Sequence, residues 1–180
     1  MVVPAAMLTT SRRRLYRPPL ALAALVGLGL GLVPPPLARG QSQPPDRPAG
    51  LIVLEERPGQ QGLRVLGIYG PKPDATSPGL WRVQLWVQTG NDATVRTDTV
   101  RCSTTAPMRM TNERGRWLLR DLNPGGPITP ANRTDHLVWW ATCHPEQAGR
   151  DPATLQGLAR QLGYSGALRE SEQILPGRSR

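Results

Sequence analysis

The clearest pattern in the chain is a two-residue alternation of apolar and polar positions from Leu80 to Thr89. One face of the predicted strand would carry Trp81, Val83, Leu85 and Val87, and the other Arg82, Gln84, Trp86 and Gln88. Such a period of two is typical of a strand with one buried face. A turn at 90–92 and a strand rich in Thr and Val at 94–102 follow, so we expect an antiparallel hairpin.

Shorter apolar runs extend this strand pattern in both directions. The further predicted strands are 51–54, 63–69, 108–111, 116–122 and 136–143. Gly115 ends a turn-forming segment between the third and fourth of these, which predicts a second hairpin. The mature chain is therefore expected to consist mostly of consecutive antiparallel strands.

The spacing of apolar residues changes from a strand period to a helical one near the C-terminus. Asp151 can cap a helix that begins at Pro152, and Gly163 stands where a helix commonly ends. Between them lies an apolar stripe at helical spacing, Leu155, Leu158, Ala159 and Leu162. The predicted fold class is α+β, a mostly antiparallel sheet with one C-terminal amphipathic helix packed on it. A small β-barrel is the alternative.

Residues 1–40 have the three parts of a bacterial export signal, and we expect cleavage after Gly40. The segment 11–17 places paired arginines before Leu15 and Tyr16 and resembles a twin-arginine signal, with ordinary Sec export as the alternative. An uncleaved membrane anchor over residues 20–37 is the competing interpretation. Its apolar part spans only residues 20–33, about 21 Å as a helix, against about 30 Å of hydrocarbon.

The rest of the chain is predicted to hold one domain. Residues 41–50 are rich in Pro and Gln and are expected to form a flexible spacer. A single β-rich domain is expected over 51–169, and a frayed tail over 170–180. The predicted location is the periplasm or the extracellular space.

The formal charge of +9 is concentrated at the N-terminus. Residues 1–40 contain five arginines and no acid, which leaves 17 basic and 13 acidic residues, or +4, in 41–180. A net charge of this size is ordinary for a soluble domain. We therefore expect no nucleic-acid partner, and contact with a membrane only through an uncleaved signal segment.

Cys102 and Cys143 are the two cysteines of the chain. An even count in an exported protein predicts a disulfide between them. A metal site would need further ligands, and the two histidines, His136 and His144, have no regular ligand spacing. We expect neither a metal nor a cofactor.

The sequence contains no motif of an established catalytic class. On a regular strand, Asp135 and His136 would point to opposite faces, so no catalytic residue is assigned. The competing hypothesis is a small exported hydrolase with a site assembled from scattered residues, His136 among them.

Two features predict a binding surface. The long connection 122–135 lies within the segment closed by the two cysteines, and loops of this length in compact domains are often functional. Trp86 shares the polar face of its strand with Arg82, where a cation–π contact is geometrically reasonable. The expected binding patch comprises Trp86, Arg82, Asn123, Asn132 and Arg133.

About half of the mature chain resembles small exported bacterial domains typified by surface-adhesin protein E. The segments that carry the resemblance are 83–87, 100–102, 115–117, 123–126 and Cys143. It implies an exported, non-enzymatic, β-rich domain with one disulfide, in a family in which some members bind host proteins. The expected function is accordingly that of an exported binding protein or envelope-associated accessory protein.

Overall fold

A computed structural model describes residues 43–176, which form a seven-stranded antiparallel sheet with its strands in chain order. The strands are β1 (Ile52–Gly59), β2 (Gly62–Pro73), β3 (Leu80–Thr89), β4 (Asp92–Arg101), β5 (Met108–Glu113), β6 (Arg116–Asp121) and β7 (Ser171–Leu175). Helix α1 (Arg133–Cys143) and the short helix α2 (Gln156–Gln161) lie between β6 and β7 in the chain. Single 3-10 turns occupy Pro145–Gln147 and Pro152–Thr154. The predicted α+β class dominated by antiparallel sheet is confirmed.

Both predicted hairpins are present. Strands β3 and β4 pair without a break from Leu80 opposite Arg101 to Thr89 opposite Asp92. Their turn needs Gly90, which has φ +60° and lies so close to the Gln61 carbonyl that a Cβ would overlap it. Strands β5 and β6 pair through the turn that ends at Gly115.

The hydrophobic core lies between α1 and one face of the sheet, here called the inner face. That face contributes Ile68, Val83, Leu85 and Val100, all fully buried. Trp139 and Trp140 of α1 pack against it and meet edge to face with their ring centroids 5.2 Å apart. The opposite side of the sheet, here called the outer face, is not covered by α1.

The segment 136–143 was predicted to be a strand, and this prediction is wrong. Eight consecutive residues of α1, 135–142, are buried, and 137–141 within them is a continuous apolar run with no helical period. A short apolar run of this kind cannot be told from a buried strand by periodicity. A strand would have placed the adjacent Trp139 and Trp140 on opposite sheet faces, whereas both are in the core.

The predicted C-terminal helix is divided. The Asp151 side chain caps as expected, accepting the Ala153 amide at 3.1 Å, but the first turn is 3-10 and α2 begins only at Gln156. Gly163 ends the segment with φ +92°, as predicted. The main helix on the sheet is α1, while the C-terminal segment adds Leu155 and Ala159 to the same core.

The expected frayed tail contains an additional strand. Ser171–Leu175 forms β7 and pairs with β6, from Asp121 opposite Ser171 to Trp117 opposite Leu175. The sequence pattern did not reveal it because its side chains are nearly all exposed and its pairing depends on the backbone. The predicted signal, 1–40, and the first two residues of the spacer lie outside the described residues.

Candidate functional site

The predicted disulfide between Cys102 and Cys143 is present, with the two Cα atoms 5.4 Å apart. It joins the residue after β4 to the last residue of α1. A disulfide fits an oxidising location outside the cytosol. Within residues 43–176, no helix has both the length and the apolar character needed to cross a membrane.

The five residues of the predicted binding patch do not lie together. Arg82 and Trp86 are on the outer face, since they alternate along β3 with the core residues Val83 and Leu85. Asn123 and Asn132 converge at the start of α1 around a single carboxylate. Arg133 pairs with Asp151, and its Nε lies 3.4 Å from Glu55.

Trp86 is part of the packed structure, with only 7% of its surface exposed. Its strand neighbours are Gly67 on one side and Val95 on the other. The cation–π contact considered with Arg82 is not formed. Arg82 extends instead to Asp74, with 3.0 Å between Nη2 and Oδ2.

The outer face contains a groove of about 730 Å³ at the start of β3. Its lining includes Tyr69, Lys72, Asp74, Arg82, Gln84 and Thr97. The pairing of β2 with β3 is interrupted between Tyr69 and Lys72, where Gly70 adopts φ +58°. This irregularity and the β2–β3 loop form the walls of the groove.

Polar contacts hold one wall and the floor of this groove in place. Hydrogen bonds from the hydroxyl and the amide of Thr76 lower the pKa of Asp74, and Arg82 adds to that effect. On the floor, the Thr97 hydroxyl donates to Gln84 Oε1 at 3.2 Å. Within residues 43–176, Arg82 donates to Asp74 through Nη2 alone, and its side chain is 67% exposed, so its other donors can reach a ligand.

A second polar cluster surrounds Glu170 at the beginning of α1. One carboxylate oxygen accepts the Asn123 amide at 3.0 Å and contacts His136 Nε2 at 2.7 Å, and the other accepts Asn132 Nδ2 at 2.7 Å. Asn123 also donates its side-chain amide to the Gly166 carbonyl. The predicted binding loop 122–135 is therefore anchored internally, and its last residues already belong to α1.

His136 is buried in this cluster and binds the Glu170 carboxylate. Its side chain is 0% exposed, and its Nδ1 has no partner among the described residues. Glu170, which the sequence placed in a frayed tail, is the acid that meets it. No periodicity signals such a contact, because 34 residues separate the two.

Acidification is expected to weaken the contacts that hold the Glu170 carboxylate. Burial opposes ionisation of this carboxyl, but the hydrogen bonds from His136 and Asn132 outweigh it, so the pKa of Glu170 lies below its ordinary value of 4.5. A lowered pKa in the folded state means that the stabilisation is present above 4.5 and disappears as the pH falls through the folded pKa. Glu170→Gln should lower the free energy of unfolding by about 1–2 kcal/mol at neutral pH.

Urea unfolding of both proteins between pH 7 and pH 3 measures this effect. The difference in the free energy of unfolding between wild type and Glu170→Gln should become smaller below pH 4.5. Glu146→Gln is the matched control, because Glu146 is exposed and its one ionic contact is 3.8 Å from His144. A difference in unfolding free energy that stays constant with pH would contradict a stabilising role of the ionised Glu170 carboxylate.

A buried ionic network on the inner face was not predicted. Arg109, 1% exposed, donates to Asp98 and to Asp135 of α1, and Thr111 donates its hydroxyl to Asp98 at 2.6 Å. Burial alone would lower the pKa of Arg109, but the two carboxylates outweigh it and raise the pKa, so the guanidinium stays charged. Arg120 joins Asp135 from the edge of the network at 3.4 Å.

Comparison with known proteins identifies no relative of this chain. The chain matches no protein-family model, no curated protein and no solved structure. The resemblance to surface-adhesin protein E therefore stays a prediction.

Proposed function

We propose that this chain is an exported binding protein, associated with the envelope or released from the cell, and that its partner binds in the outer-face groove. The observation that carries the proposal is the groove itself. It is open and walled by an ion-paired loop, on the face that α1 leaves uncovered. The export signal expected over 1–40 and the disulfide support a partner outside the cytosol.

The groove lining indicates the chemistry of the partner. Lys72 and Arg82 contribute two cations against the single carboxylate of Asp74. Gln84 and Thr97 offer hydrogen-bonding groups on the floor, and the Tyr69 ring offers an apolar wall. A partner segment that presents carboxylates next to polar or aromatic groups complements this surface.

Of the predicted patch, the groove retains Arg82. Trp86 lies two alternate positions further along the same face and is buried, so Trp86→Ala would change packing and would not test binding alone. Asn123, Asn132 and Arg133 are engaged in contacts within the chain and lie outside the groove lining.

The exported-hydrolase alternative would use His136 and Glu170, which lie 2.7 Å apart. His136 is fully buried, and the described residues show no hydroxyl hydrogen-bonded to it. A base needs to reach the proton that it abstracts. The binding hypothesis is better supported because its groove is open to a partner.

Site-specific photocrosslinking in the source cells tests the proposed groove. A photoreactive residue at Thr97, an exposed groove position, should yield one discrete adduct. The same residue at Thr94, exposed on the same strand but on the opposite face, is the control. Arg82→Glu should reduce the Thr97 adduct about tenfold or more through charge repulsion and loss of a charged hydrogen bond.

The thermal midpoint of Arg82→Glu should remain within a few degrees of wild type, since Arg82 is exposed. Equal adducts at Thr97 and Thr94, or an adduct unaffected by Arg82→Glu, would overturn the proposal.

A further inference from the structure

A second, smaller cavity lies by the first turn of α1 and shares no lining residue with the groove. Its volume is about 170 Å³. Leu66 and Val87 form apolar surface within it, and Thr134 of α1 borders it. Three arginines, Arg57, Arg64 and Arg96, and one acid, Glu55, supply its charges, which sum to +2.

Two of these arginines face each other across neighbouring strands. Arg57 and Arg64 are directly opposite in the β1–β2 register. Like charges at such positions destabilise a sheet. Among residues 43–176, Arg64 forms no ion pair, and the carboxylate nearest to Arg57, that of Glu55, is 3.8 Å away.

The third arginine has a buried donor that lacks an acceptor. Arg96 Nε is shielded from solvent and has no hydrogen-bond partner in the described part of the chain. The carboxylates around it, Asp98 at 3.8 Å and Glu113 at 3.9 Å, are beyond hydrogen-bond distance. A buried charged donor in this state is costly, and an acceptor supplied by a ligand would remove the cost.

The carboxylates in and beside the cavity wall are already engaged by other groups. Glu55 is shared with Arg133, whose Nε lies 3.4 Å from it on the side of α1. Both oxygens of Asp98 are held by Arg109 and Thr111. Arg57 and Arg96 therefore have only long ion pairs of 3.8 to 3.9 Å, and Arg64 has none among the described residues, so guanidinium donors in the cavity remain available to an anion.

We infer that this cavity is a binding site for a tetrahedral oxyanion, a phosphate or sulfate group. The guanidinium fork matches such an anion through paired hydrogen bonds, and the Thr134 hydroxyl can donate another. The volume equals that of roughly six water molecules at about 30 Å³ each, enough for one oxyanion with a small substituent. A divalent anion neutralises the charge of +2.

Calorimetric titration with inorganic phosphate and with sulfate tests the inference, with ionic strength held constant by chloride. Wild type should bind one anion saturably. Arg64→Gln and Arg96→Gln should each weaken binding about tenfold or more, since each removes a charged hydrogen bond. Glu55→Gln should strengthen it severalfold by removing a competing carboxylate, a gain that misfolding cannot produce.

Arg116→Gln is the matched control, because Arg116 is an exposed strand arginine without an ion pair among the described residues. Parallel titration with glycerol 3-phosphate separates the two sources of the anion. Binding of both probes indicates a phosphate group carried by a larger molecule, and binding of inorganic anions alone indicates the free ion. Absence of saturable binding, or equal weakening in Arg116→Gln, would overturn the inference.

Discussion

Arg109→Met is expected to lower the free energy of unfolding by about 3–5 kcal/mol. The substitution keeps much of the volume of the side chain but leaves Asp98 and Asp135 buried without their cation. Uncompensated buried charges are among the largest single-residue penalties in proteins. Guanidinium unfolding monitored by tryptophan fluorescence measures the change, because Trp139 and Trp140 lie in the core beside α1.

Two further variants distinguish loss of charge compensation from loss of packing. Arg116→Met, at an exposed strand position, should stay within about 0.5 kcal/mol of wild type. Adding Asp98→Asn and Asp135→Asn to Arg109→Met should recover part of the loss, since the stranded charges are then gone. A loss below about 1 kcal/mol in Arg109→Met, or no recovery in the triple variant, would show that the network does not depend on this cation.

Removing the disulfide is expected to have a similar effect. The bridge closes a loop with a sequence separation of 41 residues. For a loop of this size the chain-entropy model gives about 4 kcal/mol at 25 °C, through restriction of the unfolded state. Cys102→Ala/Cys143→Ala should therefore shift the denaturant midpoint strongly, while the slope of the transition reports any change in the unfolded ensemble.

Reduced wild type is the natural comparison for this variant, because it has the same side chains without the bond. Wild type with reduced and blocked thiols should unfold close to the double alanine variant. A double variant as stable as the oxidised protein would contradict the expected contribution of the bridge.

Together the two interactions attach α1 to the sheet at both ends. Asp135 holds its first turn to β4 and β5 through Arg109, and Cys143 holds its last residue to the segment after β4. The helix carries the two core tryptophans between these points. This arrangement keeps α1 on the inner face and leaves the groove on the outer face uncovered.

Local patterns were sufficient for most of the sheet. The alternation from Leu80 to Thr89 predicted β3 and its buried face, and turn residues such as Gly90 and Gly115 predicted both hairpins. These predictions rest on neighbours within a few positions, which is the range over which backbone preference and side-chain alternation act. The pairing of the two cysteines needed only their number and the expected compartment.

The candidate site was much less accessible to such reasoning. Arg82 was identified from its place on a polar strand face, but the bulge and loop that form the groove depend on how β2 meets β3. No feature of the sequence distinguishes Arg64 and Arg96 from ordinary surface arginines. Their convergence with Thr134 requires α1 to cross the sheet at one position.

The sequence by itself determined strands β1 to β6, the turns of both hairpins, the caps around Asp151 and Gly163, and the disulfide. Only the tertiary structure decided that 136–143 is a helix, that 171–175 is a strand, and where buried charges meet. A continuous apolar run satisfies burial in either conformation, and an exposed strand needs only a backbone partner. Those outcomes depend on contacts between residues far apart in the chain, which no local pattern records.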